Sequence, residues 1–478
     1  MGIKDYHTWI KISHPKSLIN PNTNNIYEFI YIDMNYILHT SIYNSSTMND
    51  FVKKIYYHLD VIFSNFIATK KIFFAIDGTS SFSKIILQRE RRNTFTTKPT
   101  NDISSICLSP GTKMIKIIED KIEIYIANLI NKYKFIKPEM VFSKSCEPDE
   151  GEIKICRQVF LNGSGFGQSN DRHLIIGNDA DIIVLSMALK PVYNINILFN
   201  TNNGRELLSL HKLLESFMTI LNKKYDIDLI KNSDLRDDYV LISLMMGNDY
   251  FPKMEYVNYI KLWDCYYTFS KQNNGTLIND GKFNVKNMKS FMHLLYSNLT
   301  IAGKRVTVKT YDKNRVNSYL NGLLWCLKTY NNGQCTDYTY TYTGGKSVHP
   351  YEIYFHLFAE NIDYDIKVTI PINSEYYPLL IMPLTAKHLI PEKYHKLMDK
   401  ELKYIYDMEN CTKCKKLKDT YLLTVNKIKT CSNDALAEKF NKMYNEQLCE
   451  YTKHKKTHTR KFCSEDINHI IKLCDAIK

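Results

Sequence analysis

Three strand-like apolar runs in the first half of the chain end in aspartate, and this constrains the fold more than any bulk property. "EFIYID" (28–33) closes on Asp33, "KIFFAID" (71–77) on Asp77 and "HLIIGND" (173–179) on Asp179, with Asp181 two residues later in "NDADIIVL". Two further runs read as strands, "EMVFSK" (139–144) and "INILFN" (195–200). Amphipathic stretches alternate with them: "DFVKKIYYHLDVIFSNFI" (50–67), "GTKMIKIIEDKIEIYIANLINKY" (111–133) and "ELLSLHKLLESFMTILNKK" (206–224). Such alternation implies an α/β fold, a mixed and largely parallel sheet flanked by helices. In that architecture ligands bind outside the carboxyl ends of the strands. The three aspartates are therefore expected to converge on one crevice.

More acids point to the same place. "EPDEGEIKI" follows the "EMVFSK" run and carries Glu150 and Glu152 at a loop-to-helix junction. "LISLMMGNDYFP" closes an apolar helix with Gly-Asn-Asp and presents Asp249. Taken singly, such residues are ordinary turn formers and caps. Together they repel one another, and several ionised carboxylates in one crevice need protons or bound cations. All-oxygen donors favour Mg²⁺ or Mn²⁺, and two such ions form the usual apparatus for cutting phosphodiesters.

A cationic stripe follows "KIFFAID" directly. In "FSKIILQRERR" (82–92), Lys84, Gln88, Arg91 and Arg92 fall within a sector of roughly 100° on a helical wheel. That spacing normally belongs to a buried apolar face. The whole chain is basic, with net charge +13 over 478 residues, which favours polyanionic partners. Lys, Ile, Asn and Tyr are also the residues of AT-rich codons. The longest apolar runs, such as "YVLISLMM" (239–246), are too short to span a bilayer, and no signal layout opens the chain. Gly2 invites myristoylation, but Tyr6 stands where Ser or Thr is wanted. The 12 cysteines are scattered and are expected to be reduced thiols. "CTKC" (Cys411, Cys414) and the later His454 and His458 lie too far apart in sequence for a zinc motif, and are expected to be free.

The expected organisation is a catalytic core over 1–260, a variable connector over 261–310, a mainly helical second segment over 311–410 and a Lys-rich helical extension over 411–478. "KQNNGTLINDGKF" (271–283) marks the soft boundary.

These residues resemble the XRN-type 5′→3′ exoribonucleases. "MGIKDYHTWI" resembles that family's start, with its Gly2 and Trp9, and "IDMNYILH" (32–39) its Asp-Met-Asn motif. "AIDGTSSFSKIILQRERR" (75–92), "LSPGTKM" (108–114), "DEGEIKI" (149–155), "NDADIIVL" (178–185) and "DDYVLISLMMGNDYFP" (237–252) follow in the family's order. "YLNGLLWCLKTYNNG" (319–333) and "YPLLIMPLTAKHLIPEKYHKLM" (377–398) resemble its second block. The resemblance implies a PIN/flap-nuclease-like core. It implies that Asp33, Asp77, Glu150, Glu152, Asp179, Asp181 and Asp249 bind two Mg²⁺ ions, with Mn²⁺ a substitute. It also implies that Lys84, Gln88, Arg91 and Arg92 bind an RNA 5′-monophosphate, and that His39 stacks on the terminal base.

The sequence departs from the family in several places. Lys4 stands near a usual Pro, Asp149 replaces a usual Gly and Ile153 a usual His. Where the family carries a stacking Trp, "CTDYTYTYT" (335–343) offers Tyr338, Tyr340 and Tyr342. Tyr338 and Tyr340 are the candidates to complete the base stack. The same run also reads as a half-buried strand alternating Tyr and Thr.

The expected activity is hydrolysis of 5′-monophosphorylated single-stranded RNA to 5′-mononucleotides. The expected protein is a cytoplasmic monomer with no membrane association, linked functionally to a decapping enzyme. The chain stops near the catalytic core, as a compact member would, and its composition suggests a large cytoplasmic DNA virus or a reduced parasite. Other readings are a structure-specific flap endonuclease on DNA and a catalytically inactive RNA-binding scaffold.

Overall fold

The computed structural model describes residues 3–477 apart from positions 4, 22–24, 44, 93–102, 134–136, 165–170, 202–203, 222, 224–233, 274, 299, 302–303, 306–311, 360–366, 407–410, 432–433 and 456–461. Gly2, Lys4 and His458 lie outside the described residues. Seven strands form the main sheet: β1 (Leu18–Ile19), β2 (Ile26–Asp33), β3 (Ile67–Ala75), β4 (Glu139–Ser143), β5 (His173–Ile176), β6 (Ile195–Thr201) and β7 (Gly204–Ser209). Their order is β1-β7-β6-β5-β2-β3-β4. β6, β5, β2, β3 and β4 run parallel, while β7 pairs antiparallel with both β6 and β1. The central parallel strands β2 and β5 are buried on both faces over most of their length, which is why they read in sequence as nearly unbroken apolar runs.

The chain builds β2, β3 and β4 in one direction and then crosses back to place β5 and β6 on the other side of β2. The order reverses between β2 and β5, so the crevice expected of such sheets opens at the carboxyl ends of those two strands. β3 and β5 stop at Ala75 and Ile176, so Asp77 and Asp179 sit in the loops that leave the sheet. Only Asp33 is itself a strand residue.

Two expected elements differ. The helix expected from 206 begins only at Leu210, because Ser209 caps it by accepting the Lys212 N–H. The preceding Leu207 and Leu208 are buried in β7, where strand pairing prevails over helix propensity. The Tyr/Thr run forms no strand.

The chain forms two compact units, residues 1–87 with 101–374, and residues 88–100 with 375–478. The expected connector is part of the first unit. Its helices Tyr259–Gln272 and Val285–Ser297 bury Trp263, Phe269, Met288 and Phe291 in the same core as the helices that cover the sheet. Residues 311–374 also belong to the first unit, and 375–410 join the C-terminal segment in the second. The second unit is helical. Tyr377, Leu380, Tyr394, Ile467 and Ile470 are buried in it, and Tyr376 Oη donates to Asp475 Oδ1 at 2.6 Å. Among the described residues no helix is long and apolar enough to cross a membrane.

The N-terminal helix Tyr6–Ser13 is packed into the first core. The Trp9 ring stacks on Tyr259 at 5.4 Å and Trp263 at 5.1 Å. A buried arginine fixes the helix after β5. Arg236 donates from Nε to Met187 O at 2.7 Å, from Nη1 to Val192 O at 2.9 Å and from Nη2 to Ser186 O at 2.9 Å. It satisfies carbonyls at the end of the Asp181–Ala188 helix, whose first residue belongs to the acidic crevice. Replacing Arg236 by Ala removes all three bonds, leaving Ser186 O with only the Leu189 N–H and Met187 O and Val192 O without this donor, and is expected to cost roughly 3 kcal/mol. Chemical denaturation of the full chain measures this, and Arg236→Lys, with fewer donors, should recover less than half of the loss.

Candidate active site

The crevice is organised around the end of β2. Asp33 is 6% exposed, and the Met34–Tyr43 helix begins at the next residue, so its carboxylate is held at a strand-to-helix junction. The Asn35 N–H donates to Asp33 Oδ1 at 2.9 Å, and Asn35 Oδ1 accepts the Asp77 N–H at 3.0 Å. One asparagine therefore ties the ends of β2 and β3 together. Asp77 Oδ1 accepts the Gly151 N–H at 2.7 Å, at the start of the Gly151–Ser164 helix, where the helix dipole favours an anion. A Cβ on residue 151 would lie 3.3 Å from Asp77 Oδ1 and 3.5 Å from Asp33 Oδ1. Glycine keeps the space in front of both carboxylates open.

The remaining acids come from three further segments. Glu150 and Glu152 flank Gly151. Burial pushes Glu152 well above the ordinary carboxylate range, and Asp179, Asp33 and Asp181 add to the rise. Asp181 is raised by burial and then by Asp179, while the Ile3 N–H donates to its Oδ1 at 2.7 Å. Asp33 is pushed up to about 8, by burial first and Asp77 second. Burial also raises Glu150, with Lys84 pulling it back. Asp249 follows a turn in which Gly247 has φ 78° and a Cβ would meet Lys253 N at 2.4 Å, so only glycine serves there. The structure brings all seven acids into one mutually repelling group.

Lys84 answers part of that repulsion. Its ammonium is bonded to Glu150 Oε2 and lies 2.9 Å from Asp249 Oδ2. Burial alone would push its pKa down, but the two carboxylates outweigh it and hold the lysine well above its ordinary value. The Tyr250 Oη donates to Glu150 Oε1 at 3.0 Å.

The other stripe residues are engaged differently. Lys84, Gln88, Arg91 and Arg92 all lie on the Phe82–Arg92 helix and are half-buried. Gln88 Oε1 accepts from Arg92 Nη1 at 2.9 Å and from Tyr377 Oη at 3.2 Å. Sequence reasoning passed over Arg89, which lies off the stripe. It is 2% exposed, donates to Leu380 O at 3.0 Å and stacks over Tyr406 and Phe462 at 5.0 and 4.6 Å.

The aromatic candidates divide. His39 is half-buried on the helix that follows Asp33. Tyr338 is 2% exposed and donates from its Oη to Asp149 Oδ1 at 2.7 Å. The Tyr340 ring is stacked on Trp325 at 4.6 Å, with its Oη close over Gly322. Tyr338 is buried and bonded through its hydroxyl, while Tyr340 is half-buried with one ring face on Trp325. Their backbone carbonyls accept from the start of the Lys84 helix: Tyr338 O from the Phe82 N–H at 2.8 Å, and Tyr340 O from the Ser83 N–H at 3.1 Å. Asp149 has φ 80°, a conformation that favours glycine, and its side chain is fixed by Tyr338 and by Arg157. Lys154 was also passed over. It is buried and donates to Ile76 O and Lys144 O, both at 2.8 Å, which pins the loops after β3 and β4.

The crevice fits hard divalent cations: its donors are carboxylate oxygens, and Gly151 leaves room before them. Fold and site define an α/β protein with a buried acidic crevice at the switch point of its sheet. The chain carries the N-terminal domain of the XRN 5′-3′ exonuclease family and is homologous to 5′-3′ exoribonucleases. Residues 1–101 and 94–200 match the model of the XRN 5′-3′ exonuclease N-terminus. The 5′-3′ exoribonuclease 1 of Saccharomyces cerevisiae is 25% identical over 372 residues, which is 67% of this chain and 24% of that protein. The human 5′-3′ exoribonuclease 1 is 24% identical over 379 residues, 67% of this chain and 22% of that protein. The chain thus spans about a quarter of the length of the curated relatives it matches. The catalytic core of Rad2 in complex with DNA covers 83% of this chain and 98% of its own at 14% identity, with a TM-score of 0.35, too loose a likeness to argue from.

The raised acids set the pH dependence of the cation-free protein. Asp33 has a folded value of about 8 against an ordinary 3.8, so its stabilising contribution is complete below 3.8 and lost as pH rises through about 8. His14 and His173 are buried with values lowered to about 4, so their effect falls at lower pH. In chelator, the melting temperature is expected to fall as pH rises from about 6.5 to 8. Mg²⁺ or Mn²⁺ should raise it more at the higher pH, as differential scanning calorimetry would show.

Proposed function

We propose that this protein is a 5′→3′ exoribonuclease that hydrolyses 5′-monophosphorylated RNA to 5′-mononucleotides with two divalent cations, Mg²⁺ or in its place Mn²⁺. The observation that carries the reading is the convergence of seven carboxylates at the sheet's switch point, in a chain that carries the N-terminal domain of the XRN family. The names of its relatives, 5′-3′ exoribonuclease 1, supply the polarity and the RNA substrate.

On this reading Asp33, Asp77, Glu150, Glu152, Asp179, Asp181 and Asp249 hold the cations. When bound, the cations activate a water and stabilise the departing oxygen of the phosphodiester. The chain's own residues set which bond is cut. Gln88, Arg91 and Arg92, with Lys84 one turn earlier, grip the terminal phosphate by charge-assisted hydrogen bonds. Lys84 is shared between this role and its pairing with Glu150 and Asp249. His39 stacks on the first base. A fixed end phosphate sets the register of cutting and leaves no room for a cap or a triphosphate. A single-stranded RNA uncapped by a decapping enzyme is the matching substrate, and RNA decay by a cytoplasmic monomer is the matching role.

Two experiments test this. One RNA carrying a 5′-monophosphate, triphosphate or hydroxyl should be degraded fast only as the monophosphate, and Arg91→Ala with Arg92→Ala should erase that preference. Equal wild-type rates on all three ends would remove the assignment of the stripe. Separately, Asp179→Asn with Asp181→Asn should reduce cleavage in Mg²⁺ by at least about a thousandfold while RNA binding persists. Residual digestion near the wild-type rate would show that these acids do not hold the cations.

A further inference from the structure

The second unit contains a helical hairpin that gathers three soft donors. Helices Thr412–Thr430 and Asp434–Lys455 lie side by side and antiparallel. The register runs from Thr424 Oγ1, which donates to Gln447 Oε1 at 2.7 Å, through the Tyr421 and Tyr451 rings at 5.4 Å. It ends where Cys411 Sγ and His454 Nε2 are 3.4 Å apart. Cys411 is the N-cap of the first helix, and its sulfur accepts the Cys414 N–H at 3.4 Å. Cys414 is 4% exposed. The ligand atoms of Cys411, Cys414 and His454 all lie within 4.8 Å of one another.

We propose that Cys411, Cys414 and His454 bind a zinc ion that pins the open end of this hairpin. Tetrahedral zinc with thiolates at about 2.3 Å and imidazole at about 2.0 Å needs donors roughly 3.5–3.8 Å apart. The observed separations need only small side-chain rotations to meet that. Two sulfurs and an imidazole select zinc over the hard cations of the acidic crevice. The start of a helix, with its free N–H groups, favours the thiolate form that zinc requires. The pairing joins residues 40 positions apart in sequence, from Cys414 to His454, and the hairpin register supplies the proximity that spacing alone denies. A water completes the tetrahedron. The ion closes the hairpin at the end opposite its connecting turn, where two Lys-rich helix ends would otherwise repel and fray.

The test uses the full chain, purified under reducing conditions and passed through a chelator wash. Elemental analysis should find one equivalent of zinc in the wild type. Cys411→Ser with Cys414→Ser, and separately His454→Gln, should lose it, while Cys431→Ser at the hairpin's turn should keep it. Cobalt added to the metal-free wild type should give the intense visible bands and thiolate charge transfer of a tetrahedral sulfur site, which carboxylates cannot give. This readout stands even if a variant misfolds. Zinc should also raise the wild-type melting temperature and protect two thiols from a colorimetric thiol reagent. A wild type that holds no zinc with its thiols reduced, a cobalt complex without sulfur bands, or variants that keep their zinc would each overturn the assignment.

Discussion

The pairing of Lys84 with Glu150 and Asp249 is the interaction on which the rest of the site depends. The sheet leaves no choice about where the acids go. Asp33 ends β2, Asp77 and Asp179 leave β3 and β5, and the crossover brings Glu150 and Glu152 to the same edge. Burying that much like charge is unfavourable, and raised carboxyl pKa values are the form the cost takes. One ammonium supplied by the Phe82–Arg92 helix offsets part of it. The position of that helix is accordingly an electrostatic requirement as well as a packing one.

What fixes the helix is a chain of contacts between distant parts of the sequence. Its first N–H groups are capped by the carbonyls of Tyr338 and Tyr340. Tyr338 is held by Asp149, Asp149 by Arg157, and Asp149 adjoins Glu150. Asp149, at φ 80°, and Tyr338 both stand at positions where the resemblance drawn from the sequence implies another residue. The two departures are bonded to each other. An aspartate at positive φ is tolerable because its carboxylate is fully used, in part by that tyrosine. Tyr338 thus has a structural role, bonded through its hydroxyl to Asp149.

This explains what could and could not be read from sequence. The central parallel strands were legible because burial on both faces writes them as nearly unbroken apolar runs. The crevice was legible because six of its seven acids lie within three residues of a strand or helix end, where the fold class alone says they must point, while Asp249 follows five residues after its helix. Pairings across large separations were not. Nothing local marks Lys84 as the partner of Asp249, Arg89 as buried, or Arg236 as the cap of the Asp181–Ala188 helix. β7 was read as helix because "ELLSL" suits either state until β6 lies beside it. Cys411 and His454 looked unrelated because their distance is set by an antiparallel register.

The raised acids also bear on how the crevice meets its cations. A carboxyl such as Asp33, with a value of about 8, is largely protonated at neutral pH while no cation is present. Cation binding must therefore release protons, and its apparent affinity must rise with pH even though the donors do not change. Lys84 adds a second competitor, because Glu150 and Asp249 are already paired with it. A divalent cation that recruits those two carboxylates weakens their hold on the ammonium. Lys84 is then left near a charge-poor carboxylate pair and one helical turn from Gln88, with a positive charge in want of an anion. A substrate phosphate is the anion that the proposed reaction brings. Under the proposed function, cation and phosphate would bind cooperatively, because each would remove the counter-charge that the other would have had to displace.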